Sequence, residues 1–295
     1  MKVSFVTPSY FGDFERCRLL TESTTRFLGA GLEHILIIDR RDVPLFRQLE
    51  NDVIRIVESE SLLPWWIFRV PAIKNWWCSL GSLPIRNWIY QQLLKISAIN
   101  ATDADVIQFV DSDVTLTKPF PLDYIFKDGL VRLQRVDFHN KAHEKWIHVA
   151  AELLALKEQP AVNRSYIGNF ITWTRPNVVE MIERIRTVAS GSHFSAIANK
   201  LHFSEYMTYG LYVDYIKGVE AAGHYHDTSP NLHLCWGYDL KTVEGRDQFF
   251  ASMKPEHFGV MIHSKDSIPI SAYRKNIELL WQISAEGPSG RKSLA

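Results

Sequence analysis

Two carboxylates one residue apart, Asp111 and Asp113, follow directly on the apolar run VIQFV. A strand ending in acids sets them at the carboxyl edge of a sheet, where open α/β sheets bind ligands. Neighbouring carboxylates in a sheltered place repel each other. A divalent cation removes that cost, and hard oxygen ligands suit Mg²⁺ or Mn²⁺ better than zinc. Such an ion keeps open positions that a diphosphate can fill. The competing reading is a solvated turn in which an Asp caps the next element. Histidine offers less. His139 and His143 are four apart, His143-Glu144 followed by His148 misses the HExxH spacing by one residue, and His224-x-His226 lacks a third ligand. Five of the nine tryptophans lie between Trp65 and Trp88. Trp65, Trp66, Trp76 and Trp77 are candidate binding platforms, because sugars pack C–H faces on indole and lipid surfaces also favour interfacial Trp. The alternative is aromatic packing. With Pro64, Pro71, Gly81 and Pro84 the stretch reads as a long, mostly irregular loop.

The elements that must position these groups alternate between short β-rich runs and helical patterns, the signature of an α/β chain. Strands are expected at Val3–Thr7, His34–Asp39, Val53–Val57 and Val106–Val110, with helices at Phe14–Leu28, Leu45–Asn51 and Ile89–Ile99. The second half is less regular. Tyr166–Trp173 reads as a strand, Pro176–Val188 as a helix with Pro in its first turn, and Ser204 as the N-cap of a helix reaching about Lys217. Phe258–His263 is a last strand, and a closing helix spans about Ile270 to Ile283. The expected architecture is a single domain over 1–285 with a mostly parallel central sheet flanked by helices. Residues 1–120 form its regular, nucleotide-binding-type half and 121–285 its embellished half, and 286–295 are a flexible tail.

Composition narrows the function classes. The 295 residues are 46% hydrophobic and 22% charged, the balance of an ordinary globular protein. Thirty-three basic residues balance thirty-three acidic ones, which argues against nucleic acid as the main partner. Three scattered cysteines, without CxxC, argue against a disulfide framework and fit a reducing cytosol. No signal peptide and no apolar run of transmembrane length is visible, so the expectation is a cytoplasmic protein, with peripheral contact to the inner face of the membrane as an option.

VTPSY at the start, W..QQLLK at Trp88–Lys95, FVDSDV at Phe109–Val114 and SEYMTYG at Ser204–Gly210 together carry a likeness. In their order and spacing the chain resembles metal-dependent GT-A glycosyltransferases, and within them an uncharacterised bacterial family with a DxD motif. The resemblance implies a Rossmann-like GT-A domain with 1–120 as its nucleotide-binding half and 121–285 as its donor-sugar and acceptor half, a nucleotide-diphosphate sugar donor (UDP by family frequency), Mn²⁺ or Mg²⁺, and a glycan or lipid-linked glycan acceptor. A role in polysaccharide biosynthesis accompanies it. It implies that Thr7, Pro8, Ser9 and Tyr10 hold the nucleoside, with Tyr10 stacking on the base. Asp39 would accept a hydrogen bond from base or ribose, or else pair with Arg40 or Arg41. Gln92, Lys95 and Ser112 would face the donor. His263 would join Asp111 and Asp113 on the metal, and Lys265 and Arg274 would neutralise the leaving diphosphate. Glu205 is implied as the general base, or as a stabiliser of positive charge on the sugar, although a carboxylate in a helix's first turn is favoured by the dipole alone. Tyr209 and Tyr212 share its face and would line a sugar pocket, and Trp65, Trp66, Trp76 and Trp77 would recognise the acceptor. Two other readings stay open. DSDVTL also fits the motif of haloacid-dehalogenase-like phosphatases, and a non-catalytic carbohydrate-binding protein could keep the same scaffold.

Overall fold

The computed structural model describes residues 1–69, 76–138, 140–229 and 231–286. Pro71, His139 and the expected tail from 287 onward lie outside them. The front half runs β1 (Val3–Ser9), α1 (Phe14–Phe27), β2 (Glu33–Ile38), β3 (Ile54–Glu58), α2 (Asn87–Ser97) and β4 (Val106–Val110). It continues with β5 (Val114–Leu116), β6 (Leu130–Gln134), α3 (Lys141–Leu154), β7 (Phe170–Thr174), α4 (Arg175–Ala189) and α5 (Glu205–Tyr212). The chain closes with β8 (His224–Asp227), β9 (Leu232–Leu234), β10 (Gly259–Met261) and α6 (Arg274–Glu286).

The central sheet has the order β7-β4-β1-β2-β3. Its first four strands in sequence are parallel, and β7 runs antiparallel to β4 at the edge. The fold is therefore mixed α/β with a mostly parallel sheet, as the alternating pattern implies. All five residues of β4 are buried, since parallel strands are covered on both faces. Phe109 packs edge-on against Trp173 with ring centroids 4.7 Å apart; truncating such a side chain to Ala typically costs ~3–5 kcal/mol.

Chain order reverses between β1 and β4, which makes their carboxyl ends the switch point where sheets of this type open a crevice. Thr7 locks that point. Its Oγ1 donates to Val110 O at 2.7 Å and meets His34 Nε2 at 2.8 Å, while Thr24 Oγ1 lies 3.0 Å from His34 Nδ1. Burial pushes the His34 imidazole down to about 3, so it stays neutral.

A small sheet, β9-β10-β5, grows out of the turn after β4. It brings residues 262–266 against the DSD turn: Ile262 N donates to Asp113 O at 3.1 Å and Ser264 N to Asp113 Oδ2 at 3.2 Å. The aromatic stretch before α2 is more ordered than its Pro and Gly content implies. Ile67–Phe68, Trp76–Ser79 and Ile85–Arg86 pair as an antiparallel ribbon. The expected strand at Tyr166 starts only at Phe170, because residues 167–169 turn along the cleft described below. Gly168 is pressed so closely against Gln134 that an added Cβ would lie 2.4 Å from its amide nitrogen.

Candidate active site

A cleft of about 520 Å³ opens at the switch point. Asp111, Lys95 and Glu205 lie on its inner wall. Lys95 sits on α2 two turns after Trp88, and its Nζ lies 3.4 Å from Asp111 Oδ1, 3.3 Å from Glu205 Oε1 and 2.8 Å from Tyr206 Oη. Burial opposes its charge, and Tyr206, Asp111 and Glu205 outweigh burial, so the ammonium is held well above its usual range. Glu205 opens α5 and is only 5% exposed. Burial raises its carboxyl and Lys95 opposes the rise; the net direction is upward. Ser204 caps the helix, its Oγ accepting from Met207 N. Gln92 is turned inward: its Oε1 accepts from Glu205 N at 3.0 Å and its Nε2 donates to Trp88 O. The amide therefore fixes the helix start at the cleft wall, which Gln92 also lines.

The DSD turn is anchored by Asn169, whose Nδ2 donates to Asp111 Oδ2 at 3.3 Å. Asp113 Oδ1 is buried without a hydrogen-bond partner. Burial, then the charge of Asp111, push its carboxyl up to about 7, and Asp13 adds to this. Asp13, which sequence reasoning overlooked, stands just ahead of α1 and shares a hydrogen bond with Ser112. Arg16 follows it, with Nη1 3.9 Å from Asp13 and Nη2 donating to Ile268 O at 3.2 Å. An orphaned carboxylate oxygen with a second acid beside it is a donor set that fits a hard divalent cation.

Three tryptophans outside the expected set complete the cleft. Trp88 and Trp146 lie together with ring centroids 5.8 Å apart, continued by His143 and Phe138. Trp236 faces them beside His263 at 5.0 Å. Trp88 closes the aromatic stretch and opens the motif W..QQLLK, four before Gln92 and seven before Lys95 on one helix face. Trp146 and Trp236 had no such signal, because long-range packing alone brings them in.

The family model matches residues 1–285. The chain belongs to the family of unknown function DUF6492. No curated protein matches it. Among solved structures, this DUF6492 chain is similar to the apo form of mouse xyloside xylosyltransferase 1, at 9% identity, TM-score 0.44, 91% of this chain and 100% of that one. It is also similar to apo glycosyltransferase GlyE of Streptococcus pneumoniae TIGR4, at 11% identity, TM-score 0.45, 96% of this chain and 60% of that one. A third is glucosyl-3-phosphoglycerate synthase of Mycobacterium tuberculosis, in complex with Mn²⁺, UDP and glucosyl-3-phosphoglycerate. It shows 16% identity and a TM-score of 0.34, over 60% of this chain and 57% of that one.

Several expected site residues of the DUF6492 chain lie elsewhere or are already engaged. Among the described residues no three His, Cys, Asp or Glu side chains come together to hold a metal. His263 lines the same cleft as Asp111 and its neighbours Ile262 and Ser264 bond Asp113, but its Nδ1 accepts from Lys265 N at 3.1 Å and its ring lies against Trp236. Lys265 itself is exposed. Arg274 is held by Glu22 at 2.6 Å and Glu278 at 2.8 Å and lines a separate hollow between α1 and α6. Tyr209 is core, stacked on Trp173 and hydrogen-bonded to His224 at 2.7 Å. Tyr212 donates to Glu180 at 2.8 Å. Trp77 is buried on Tyr90, and Trp65, Trp66 and Trp76 do not line the cleft. The Thr7 side chain is consumed in the sheet, whereas Pro8 and Ser9 are half-buried and Tyr10 is exposed at the strand end. Asp39 is one step beyond Ile38, which pairs with Ser9; it binds Arg41 at 3.1 Å and Arg69 at 2.9 Å. No helix among the described residues is long and apolar enough to cross a membrane.

Proposed function

We propose that the protein is a metal-dependent glycosyltransferase that moves a sugar from a nucleotide-diphosphate sugar to a hydroxyl of a glycan acceptor. The observation that carries this reading is the convergence, at the switch point, of the DSD turn with its orphaned Asp113 oxygen and the buried Glu205–Lys95 pair under aromatic walls. Asp111 and Asp113 would hold Mg²⁺ or Mn²⁺, whose charge, when bound, favours departure of a diphosphate. Pro8, Ser9, Tyr10 and Asp39 border the neighbouring strand ends and receive the nucleoside, which the sequence resemblance makes a uridine. Ser112 and Lys265 flank the diphosphate.

Glu205 accepts the proton of the acceptor hydroxyl. Burial makes its carboxylate more basic, and Lys95 keeps it ionised until the acceptor arrives. Gln92, which also lines the cleft, positions Glu205 by accepting from its backbone N–H. Trp88, Trp146 and Trp236 offer faces on which sugar C–H groups pack. The phosphatase reading is weakened because its motif follows a first strand, whereas this DSD turn follows the fourth. The test is to incubate the protein with Mn²⁺ and a panel of nucleotide sugars and to assay release of nucleoside diphosphate. Release that disappears in Glu205→Gln supports the reading. Cleavage of a simple phosphate monoester with no release from any nucleotide sugar overturns it.

A further inference from the structure

A second hollow, of about 580 Å³, shares a wall with the cleft. Alternation along the chain sets the two back to back. Gln134, Val136 and Ser165 line the cleft, while their chain neighbours Arg135 and Arg164 line the hollow. Two unusual turns contribute to its lining. One is the π-helix Val213–Lys217 after α5, a rare form that is frequent at functional sites. The other follows α3, where Ala155 is held at a φ of 46°, a strained conformation for a residue with a Cβ.

Charge in the hollow does not balance. Asp214 is its buried acid, with a side chain 4% exposed. Its Oδ1 accepts from His226 Nε2 at 2.8 Å, and its Oδ2 from Tyr166 Oη and from Arg135 Nη1 at 3.3 Å. Arg164 Nη1 comes only to 4.0 Å from Oδ2, beyond hydrogen-bond reach. Burial opposes the charge of Asp214, and the bonds from His226 and Tyr166 outweigh it, so the carboxyl lies below its usual range. One negative charge thus faces two guanidiniums. Arg184 gives Nε to Leu154 O at 2.9 Å and Nη2 to Ala155 O at 3.3 Å, and carbonyls leave its charge in place. Lys157 is exposed and meets no acid among the described residues. Glu158, also exposed, is the other acid among the described lining residues, so Arg135, Lys157, Arg164 and Arg184 stand against two carboxylates.

We propose that this hollow is a binding site for a phosphate group carried on a small molecule. A dianion restores the balance, and guanidinium groups match its oxygens with paired, charge-assisted bonds. Lys157 and Arg164 are the groups free to turn to it, since Arg164 is 36% exposed in its side chain and has only the long contact to Asp214. The volume is that of a small-molecule pocket rather than of a bare ion. The site stands whether or not the cleft transfers sugar.

The test is isothermal titration of glycerol phosphate and of inorganic phosphate into the full chain at neutral pH and low salt. EDTA is present, so that no metal at the DSD turn takes the anion. The comparison is Lys157→Gln/Arg164→Gln, two side chains that make no hydrogen bond among the described residues, so the thermal midpoint should hold. Wild type is expected to bind saturably and the variant at least about tenfold more weakly, through loss of charge-assisted bonds. Lys241→Gln/Lys275→Gln removes two exposed cations outside the hollow and should bind as wild type does. No saturable binding by wild type, or equal binding by Lys157→Gln/Arg164→Gln, overturns the proposal. So does an equal loss in Lys241→Gln/Lys275→Gln, which would make the effect one of net charge alone. Tighter binding of glycerol phosphate names an ester as the occupant and tighter binding of inorganic phosphate the free ion; either order upholds the phosphate site.

Discussion

Replacing Lys95 by Met leaves a buried carboxylate without its cation, and the structure fixes both the size and the pH dependence of the loss. Nζ lies 3.3 Å from Glu205 and 3.4 Å from Asp111. The Asp111 side chain is 36% exposed and can be rehydrated, whereas that of Glu205 is 6% exposed and cannot. Removing one partner of a buried pair costs ~3–5 kcal/mol. With one of the two acids recovering its hydration, we expect about 3 kcal/mol at about pH 8. Without Lys95, burial and the charge of Asp111 act on Glu205 with no cation to oppose them, and its folded-state pKa rises further above the unfolded value. The folded variant then holds a proton over a pH window in which folded wild type has already released it, so its deficit relative to wild type grows as pH rises above the wild-type folded value, which itself lies above 4.5. Urea unfolding of wild type, Lys95→Met, Glu205→Gln and the double variant at about pH 5 and pH 8 measures this. The double variant should recover at least ~1 kcal/mol over additivity, within the range for contacting residues. A Lys95→Met deficit below ~0.5 kcal/mol at pH 8, or strict additivity, refutes the pairing.

Glu205→Gln keeps shape but leaves Lys95 with Asp111 as its only acid, so the thermal midpoint should fall while turnover per folded molecule drops ~10²–10⁴-fold; wild-type turnover per folded molecule would remove Glu205 from the reaction. Trp236→Ala should raise the acceptor KM by roughly 2- to 12-fold, the equivalent of ~0.5–1.5 kcal/mol of ring packing, with kcat little changed; an unchanged KM takes the ring out of the acceptor site. Burial lowers His34 to about 3 and His224 to about 4. Below about pH 6.5 the unfolded chain binds protons that these folded rings refuse, so stability falls as pH drops, by about 3–4 kcal/mol between pH 7 and 5 from the two together. Denaturant titrations at the two pH values check this, and a His34→Asn variant that keeps the full slope would contradict it.

What was legible in the sequence follows from what is local. The run VIQFV before DSD, the helical face of Gln92 and Lys95, and the Ser204 cap ahead of Glu205 depend on neighbours in the chain. The strands and helices they imply are all present, with ends moved by a few residues. Phe170 begins its strand late because Gly168 is pressed against Gln134, a contact 34 residues apart that no local pattern carries. The same reason hid the cleft's far wall. Trp146 and Trp236 meet their partners only through the packing of α3 and the β9–β10 segment. Tyr209 shares the helix of Glu205, yet every residue of that helix is buried, so sharing a face did not mean sharing a pocket. Arg274 was misplaced because its partner, Glu22, lies 252 residues away. Asp13 did leave a signal: an acid in the turn after the first strand, where such sheets bind ligands.

The central claim is that the DSD turn holds a metal on which a nucleoside diphosphate sits. Isothermal titration of UDP, with and without Mn²⁺, into wild type and the near-isosteric Asp113→Asn tests it most directly. The account predicts UDP binding that requires Mn²⁺ in wild type and loses that requirement, with most of the affinity, in a variant whose thermal midpoint is unchanged. Equal Mn²⁺-dependent binding by Asp113→Asn, or no binding of any nucleoside diphosphate by wild type, would contradict it.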